Sequence, residues 1–364
     1  MQRRQFLALF PATAIAADRP PDPHRPEIDR ILEPIRTTHG VPALAAGIVT
    51  PKGLIASGVC GFRKRGSDTP ATPHDLWHLG SMTKAMTATL LATWVQHGKL
   101  AWDDPIGKFL APLLTGSTPE FPAITLRQLL SHRSGLPANP PRWQDFPSAG
   151  HRPDVLRSES RKPLAHSPGS SFLYSNLGYM TAGLIAESLG QKLWESLLTE
   201  RIAKPLGMTI GFGGTGTPGQ IDQPWPHLAT GTPTGTNGPA IDNSPSLGPA
   251  GTCHASLASY ALFAADQLKG AAGTDGSLLP ASLYKDLHTP SADPHYALGW
   301  YRHERSWAHG PALAHTGSNT MNSFAAWLAP SRSFGVIAAT NQGGKNGSTA
   351  CDLACSALIQ FHLA

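Results

Sequence analysis

Ser81-Met82-Thr83-Lys84 is the first place where the chain can do chemistry. Residues three apart on a helix share a face, with Cβ atoms about 5–6 Å apart. Helical side chains lean toward the N-terminus, so Lys84 reaches back to Ser81. A helix N-terminus carries about half a positive charge, which disfavours an ammonium and favours an alkoxide. Lys84 can therefore shed its proton and accept one from the Ser81 hydroxyl. The pattern alone is a weak signal, since Ser282-Leu283-Tyr284-Lys285 also fits it without a helix start. Tyr174-Ser175-Asn176 follows a Gly/Pro/Ser loop and enters a helical pattern. A phenol becomes a usable base beside an ammonium, and an Asn side chain both donates and accepts toward an amide. The bland reading of the same residues is a core tyrosine followed by a helix N-cap. His315-Thr316-Gly317-Ser318 is the third cluster. Gly317 lets a ligand approach the backbone, and the Ser318 N–H can serve as an oxyanion donor.

These three clusters need elements to hold them. The segment from Ala43 to Phe62 reads as two strands around a Pro-Lys-Gly turn. A long helix is predicted from Ser81 through Trp94, stopped at Gly98 and Lys99. Further helices are predicted over 125–132, 177–189 and 350–362. Strands are predicted over 297–303, 323–328 and 334–340, with His315 to Ser318 leading into a strand. Gly211 to Pro249 is rich in Gly, Pro and Thr and reads as a long irregular loop of the kind that walls binding sites. Lys345-Asn346-Gly347, in a Gly-rich stretch after a strand, also reads as loop. Strands at both ends with helices between them predict a sheet assembled from the two termini. No internal repeat is seen.

Taken in order, the three clusters resemble the penicillin-recognising serine hydrolases: class C β-lactamases, D-alanyl-D-alanine carboxypeptidases and related esterases and peptidases. A sister branch carries Ser-x-x-Lys, Ser-Asp-Asn and Lys-Thr-Gly, and Tyr-x-Asn in the middle place looks like the class C branch. The resemblance runs from about Arg30 to the C-terminus. It includes LRQLLSHRSGLP (126–137), SPGSSFLYSNLGY (167–179) and GPAGTCHASLASYALFA (248–264). It implies an α/β (α+β) fold, an antiparallel sheet flanked by helices with an inserted, mostly helical lobe. Residues 18–80 and 287–364 would form the sheet domain and 81–286 the lobe, with the active site between them. It implies that Ser81 is acylated, that Lys84 and Tyr174 move its proton, and that Asn176 binds the acyl side-chain amide. His315, Thr316 and Gly317 would complete the substrate wall, and the backbone N–H groups of Ser81 and Ser318 the oxyanion hole. No metal and no organic cofactor is implied. The substrate would be a small molecule or a peptide bearing an ester, amide or β-lactam bond. A penicillin sensor that acylates without turnover is the alternative outside catalysis. β-Lactamases mostly carry Lys where His315 stands, which argues against strong β-lactam turnover. An imidazole there predicts tighter binding of anionic substrates at mildly acid pH.

Other chemistries fit less well. His74-Asp75-Leu76-Trp77-His78 spaces two His like a metalloprotease helix, but Asp stands where Glu is required. No Gly-x-Ser-x-Gly occurs, against an α/β-hydrolase elbow. The 364 residues include 29 Lys and Arg against 24 Asp and Glu, a net charge of +5. Two of the positives, Arg3 and Arg4, fall in a basic, apolar, small-residue opening that reads as a cleavable twin-arginine-like signal over 1–17. What remains is too weakly basic for a nucleic-acid partner. A periplasmic or secreted protein follows, without a stable membrane span and expected to be a monomer. With 40% hydrophobic residues a folded core is affordable. The four cysteines read as buried free thiols.

Overall fold

The computed structural model describes residues 25–141, 145–291 and 295–364; the signal segment expected over 1–17 lies outside them. A six-stranded antiparallel sheet runs in the order β2-β1-β9-β8-β7-β6. Its strands are β1 (Ala43–Thr50), β2 (Gly53–Gly61), β6 (Tyr301–Arg305), β7 (Gly310–Ser318), β8 (Ser323–Ala329) and β9 (Phe334–Thr340). The chain ends meet where β1 pairs with β9, Leu44 opposite Thr340 and Val49 opposite Gly335.

Period-2 alternation sorts the two faces of the sheet. Leu44, Ala46 and Ile48 pack outward with Val336 and Ala338, under the terminal helices Arg25–Thr38 and Gly344–Leu363. Ala43, Ala45, Ile337 and Ala339 face the other way, into the main core. That face is covered by the helix Leu257–Ala271, which comes from the middle of the chain.

Two expectations are corrected at the C-terminal end. Gly310–Ser318 is itself a central strand of the sheet rather than a lead-in to one. Its Pro311 and small residues hid the alternation. The closing helix starts at Gly344, so Lys345-Asn346-Gly347 forms its first turn rather than a loop. Gly is a poor helix former, yet Gly347 is required there: a Cβ would lie 2.0 Å from the Gln342 carbonyl oxygen.

The middle segment is built around the helix Thr83–Val95, which continues a 3-10 turn over Gly80–Met82. From Thr83 to Trp94 every residue is buried, Lys84 and four threonines included. A small sheet, β3 (Trp77–His78), β5 (Cys253–Ala255) and β4 (Ile210–Phe212), lies beside its start. After β4 the segment is irregular as far as a short helix at Gly248–Gly251, apart from 3-10 turns at Gly238–Ala240 and Pro245–Leu247. It is nevertheless pinned. Buried His227 accepts the Arg65 N–H at Nε2 and bonds the Asn341 carbonyl through Nδ1. Arg152, fully buried, holds Glu187, Glu195 and the carbonyls of Pro245 and Ser246. Among the described residues no helix is long and apolar enough to cross a membrane. No cysteine is bridged; Cys253, Cys351 and Cys355 are buried and Cys60 half-buried.

Candidate active site

Ser81 sits at the mouth of the buried helix, in the 3-10 turn that begins it. Lys84, one turn further in, is fully buried and places Nζ 3.0 Å from Ser81 Oγ. Its other partners are Asn176 Oδ1 and the Ala250 carbonyl, each at 2.7 Å. All three partners are neutral. Burial therefore drives the Lys84 pKa well below that of an ordinary lysine, because a dry site penalises the charged form.

Tyr174 closes the triangle. Lys84 Nζ stands 4.8 Å from its ring centre, and its phenol faces Ser81 closely enough for that hydroxyl to favour the phenolate. Burial raises the Tyr174 pKa far above that of free tyrosine, and the nearby Ser81 hydroxyl offsets this only partly. Amine and phenol are thus both pushed toward their neutral forms.

The segment Ser131–Asn139 puts Tyr174 in place. His132, buried at a positive φ of 58°, accepts the Ser175 N–H at Nδ1 (3.0 Å), and its carbonyl accepts the Leu173 N–H (2.8 Å). The His132 ring lies against Tyr174, centroids 4.2 Å apart. Ser175 is the N-cap of the helix Asn176–Gly190, its hydroxyl accepting the Gly178 N–H at 3.0 Å. The N-cap thus forms as the tripeptide suggested, and it leaves Tyr174 and Asn176 lining the cleft. Asn176 also donates to Asn139 Oδ1 at 2.8 Å. Its amide is thereby committed to Lys84 and Asn139.

The far wall is the end of β7. Pairing with β6 stops at Ala314 opposite Tyr301, while β8 follows β7 to Ser318 opposite Ser323. His315 to Ser318 therefore keep a free outer edge beside Ser81. Gly80 (φ +51°) and Gly317 meet there with no room for side chains. A Cβ on Gly80 would lie 2.3 Å from the Ser318 nitrogen, and one on Gly317 1.9 Å from the Leu79 oxygen and 2.9 Å from the Ser81 nitrogen. This contact brings together the two amides expected as oxyanion donors.

A cleft of about 500 Å³ opens between these parts. Ser81, Tyr174, Asn176, His315, Thr316, Gly317 and Ser318 all line it. So does Tyr301, which no local motif in the sequence marks as a site residue. Thr316 is exposed, as alternation along β7 requires. His315 is not what its sequence suggested. It is 2% exposed, bonded at Nε2 to the Tyr296 hydroxyl (3.2 Å) and at Nδ1 to the Thr316 carbonyl (2.7 Å). Burial, the largest cause, lowers its pKa to about 3. It stays neutral at mildly acid pH, so the expected acid-favoured binding of anions lacks its cation.

The remaining candidates fall elsewhere. Ser282 and Lys285 do lie on a helix, Ala281–His288, but line a separate hollow with Arg302. The zinc spacing dissolves: Asp75 is ion-paired with Arg63, and His78 is on β3 bonded to Asp242. Among the described residues no trio of His, Cys, Asp or Glu is gathered for a metal.

A family model described as Beta-lactamase matches residues 28–354. Protein flp of Staphylococcus aureus (strain COL) is 28% identical over 184 residues, covering 50% of this chain and 37% of the relative. The matched part is thus little over a third of that relative's length. Among solved structures, the octameric penicillin-binding protein homologue from Pyrococcus abyssi superposes with a TM-score of 0.75 at 20% identity, over 92% of this chain and 77% of the other. The D-stereospecific amidohydrolase from Streptomyces sp. gives a TM-score of 0.70 at 23% identity, over 88% of this chain and 96% of the other. At these identities the two structures speak for a shared fold.

Proposed function

The chain belongs to the beta-lactamase family of serine hydrolases, and we propose that it hydrolyses ester or amide substrates through an acyl-enzyme on Ser81. The observation that carries this reading is the buried, uncharged surrounding of Lys84 at 3.0 Å from the Ser81 hydroxyl. A neutral amine there takes the Ser81 proton as Oγ adds to the substrate carbonyl carbon. The resulting oxyanion is held by the Ser81 and Ser318 N–H groups. As the carbonyl carbon–leaving-group bond breaks, the Tyr174 phenol protonates the departing atom and recovers its proton from Lys84. Water then adds to the acyl carbon, giving its proton back through the same pair, and the acid leaves with Ser81 restored. Lys84 suits the base role and Tyr174 the shuttle role because burial keeps the phenol protonated.

No Lys or Arg is among the described residues that line the cleft, and His315 is neutral. That favours substrates that need no cationic partner for a carboxylate, which places esters and neutral amides ahead of β-lactams and peptides with a free D-alanine carboxylate. The fold likeness to the D-stereospecific amidohydrolase from Streptomyces sp. keeps D-amino-acid amides in this set. A basic, apolar N-terminus supports export to the periplasm or medium. The monomer remains our reading, against the octamer of the Pyrococcus abyssi homologue, and gel filtration decides it.

A fluorophosphonate probe with intact-mass detection tests the nucleophile. A single adduct, absent in Ser81→Ala, is expected, together with hydrolysis of p-nitrophenyl butyrate that the variant loses. Labelling that persists in Ser81→Ala overturns the assignment. An acyl adduct from ester that never clears identifies the non-turnover sensor instead.

A further inference from the structure

Behind the two oxyanion donors lies a buried polar chain that the mechanism does not yet use. The Gly80 N–H, next to Ser81, donates to His78 Nδ1 at 3.1 Å. A nitrogen that accepts an amide proton carries none itself, so the His78 proton sits on Nε2. Nε2 donates to Asp242 Oδ2 at 2.9 Å. The other oxygen of the same carboxylate, Oδ1, accepts from Asn319 Nδ2 at 2.9 Å. Asn319 adjoins Ser318, and its Oδ1 accepts from the Met321 N–H (3.2 Å) and from Asn322 Nδ2 (3.1 Å). The Ser318 hydroxyl closes the turn onto the Asn322 carbonyl at 2.7 Å. The side chains of His78 and Asp242 are 1% and 3% exposed, and Asn319 is buried.

We propose that His78, Asp242 and Asn319 are positioning residues that fix the separation and aim of the Ser81 and Ser318 amides, Asp242 acting as a carboxylate clamp between the two walls. The proposal rests on the reading of Ser81 as nucleophile. The walls come from different elements: the turn at Gly80–Met82 and the end of β7. Where they touch they offer Gly80 and Gly317, which have no side chains to lock the contact. Oxyanion donors act only when aimed within a few tenths of an ångström, and a shift of about 1 Å can cost on the order of 100-fold in rate. Every hydrogen-bonding direction in the chain is specified. His78 can only donate at Nε2, the Asn319 amide nitrogen can only donate, and between them stands the one group that accepts on both sides. None of the three residues lines the cleft, so substrate binding does not depend on them directly.

The test exploits that directionality. In Asp242→Asn a carboxamide NH₂ must face either the His78 N–H or the Asn319 NH₂, donor against donor. In Asn319→Asp two carboxylates are set against each other. The exchanged double variant Asp242→Asn/Asn319→Asp restores a matched set: Asn at 242 accepts from His78 and donates to Asp at 319. Measured are the second-order rate of fluorophosphonate labelling at Ser81, kcat and KM for p-nitrophenyl butyrate, and Tm. Each single variant should label and turn over about 10–100-fold more slowly, with KM within about threefold. The double variant should return to within about fivefold of the parent. A merely structural role would lower Tm and would not give a kcat-selective loss that the exchange rescues. Should a single variant fail to fold, His78→Asn replaces it, since that side chain still accepts the Gly80 N–H but no longer reaches Asp242; the same kcat-selective loss is expected. Parent-like labelling in Asp242→Asn or His78→Asn, or a double variant no faster than the singles at equal Tm, overturns the clamp. A parent protein that takes no label at Ser81 refutes the nucleophile itself and not the clamp alone.

Discussion

Lys84 Nζ stands 3.0 Å from Ser81 Oγ, and no charged group is among its hydrogen-bond partners. An amine so placed is depressed below its ordinary 10.5, and this leaves a thermodynamic signature. Between the folded pKa and 10.5 the unfolded chain binds more protons than the folded one, so stability should rise with pH across that window. Lys84→Met removes the difference. Urea titrations from pH 7 to 10 should give a flatter stability–pH slope for Lys84→Met, by up to about 1.4 kcal/mol per pH unit. Parallel slopes would mean that Lys84 is an ordinary lysine. Lys84→Arg, permanently charged, should lose about 10²–10⁴-fold in acylation.

The glycine contact at the oxyanion hole makes a second prediction. An alanine methyl at 317 would overlap the Leu79 carbonyl oxygen and push the two walls apart. Gly317→Ala should lower kcat by about 10²–10³-fold, the scale of one lost oxyanion donor. Steady-state kinetics beside a melting curve check it, and near-parental kcat would show that the walls need not touch.

Burial lowers the His315 pKa to about 3, so the imidazole should be neutral from pH 5.5 to 8. A His⁺–carboxylate pair would form only below that pKa. KM for a carboxylate-bearing ester should therefore change less than about twofold between pH 5.5 and 8. A KM that falls steeply toward pH 5.5 would show that substrate binding drags the imidazole out into solvent.

Arg152 ties two glutamates and two carbonyls together in the core. Arg152→Ala strands Glu187 and Glu195 and should cost about 3–5 kcal/mol in urea denaturation. Because its carbonyl partners are Pro245 and Ser246, the segment that carries Asp242 should also loosen. A loss below about 1 kcal/mol would mark the pair as surface-like.

The legible part of the site was the part written locally. Ser81 and Lys84 share one helical turn, and Tyr174 to Asn176 announce a helix start, so their spacing carries the chemistry. His78 invited a reading as a metal ligand because its true partner, Asp242, lies 164 residues away, and Asn319 reaches Asp242 across 77. No window of sequence holds such a pair. His315 misled for a related reason: residue type gives an ordinary imidazole, and only the packing of Tyr296 and the closed core around it decides the charge. In the fold, the near-continuous apolar runs bounded by turns, near 43–62 and 323–340, were readable as strands. The strand Gly310–Ser318 and the helix Leu257–Ala271, built largely of small residues, were not.

The pairing of Leu44 with Thr340 sets a timetable for biosynthesis. The first strand to leave the ribosome can pair with β2 at once, but its other edge must wait until β9, residues 334–340, has been made. Until then its exposed edge needs guarding from other nascent chains. A stop codon between Val95 and Phe334 would release a product that keeps the nucleophile helix but lacks the strand joining β1 to β8.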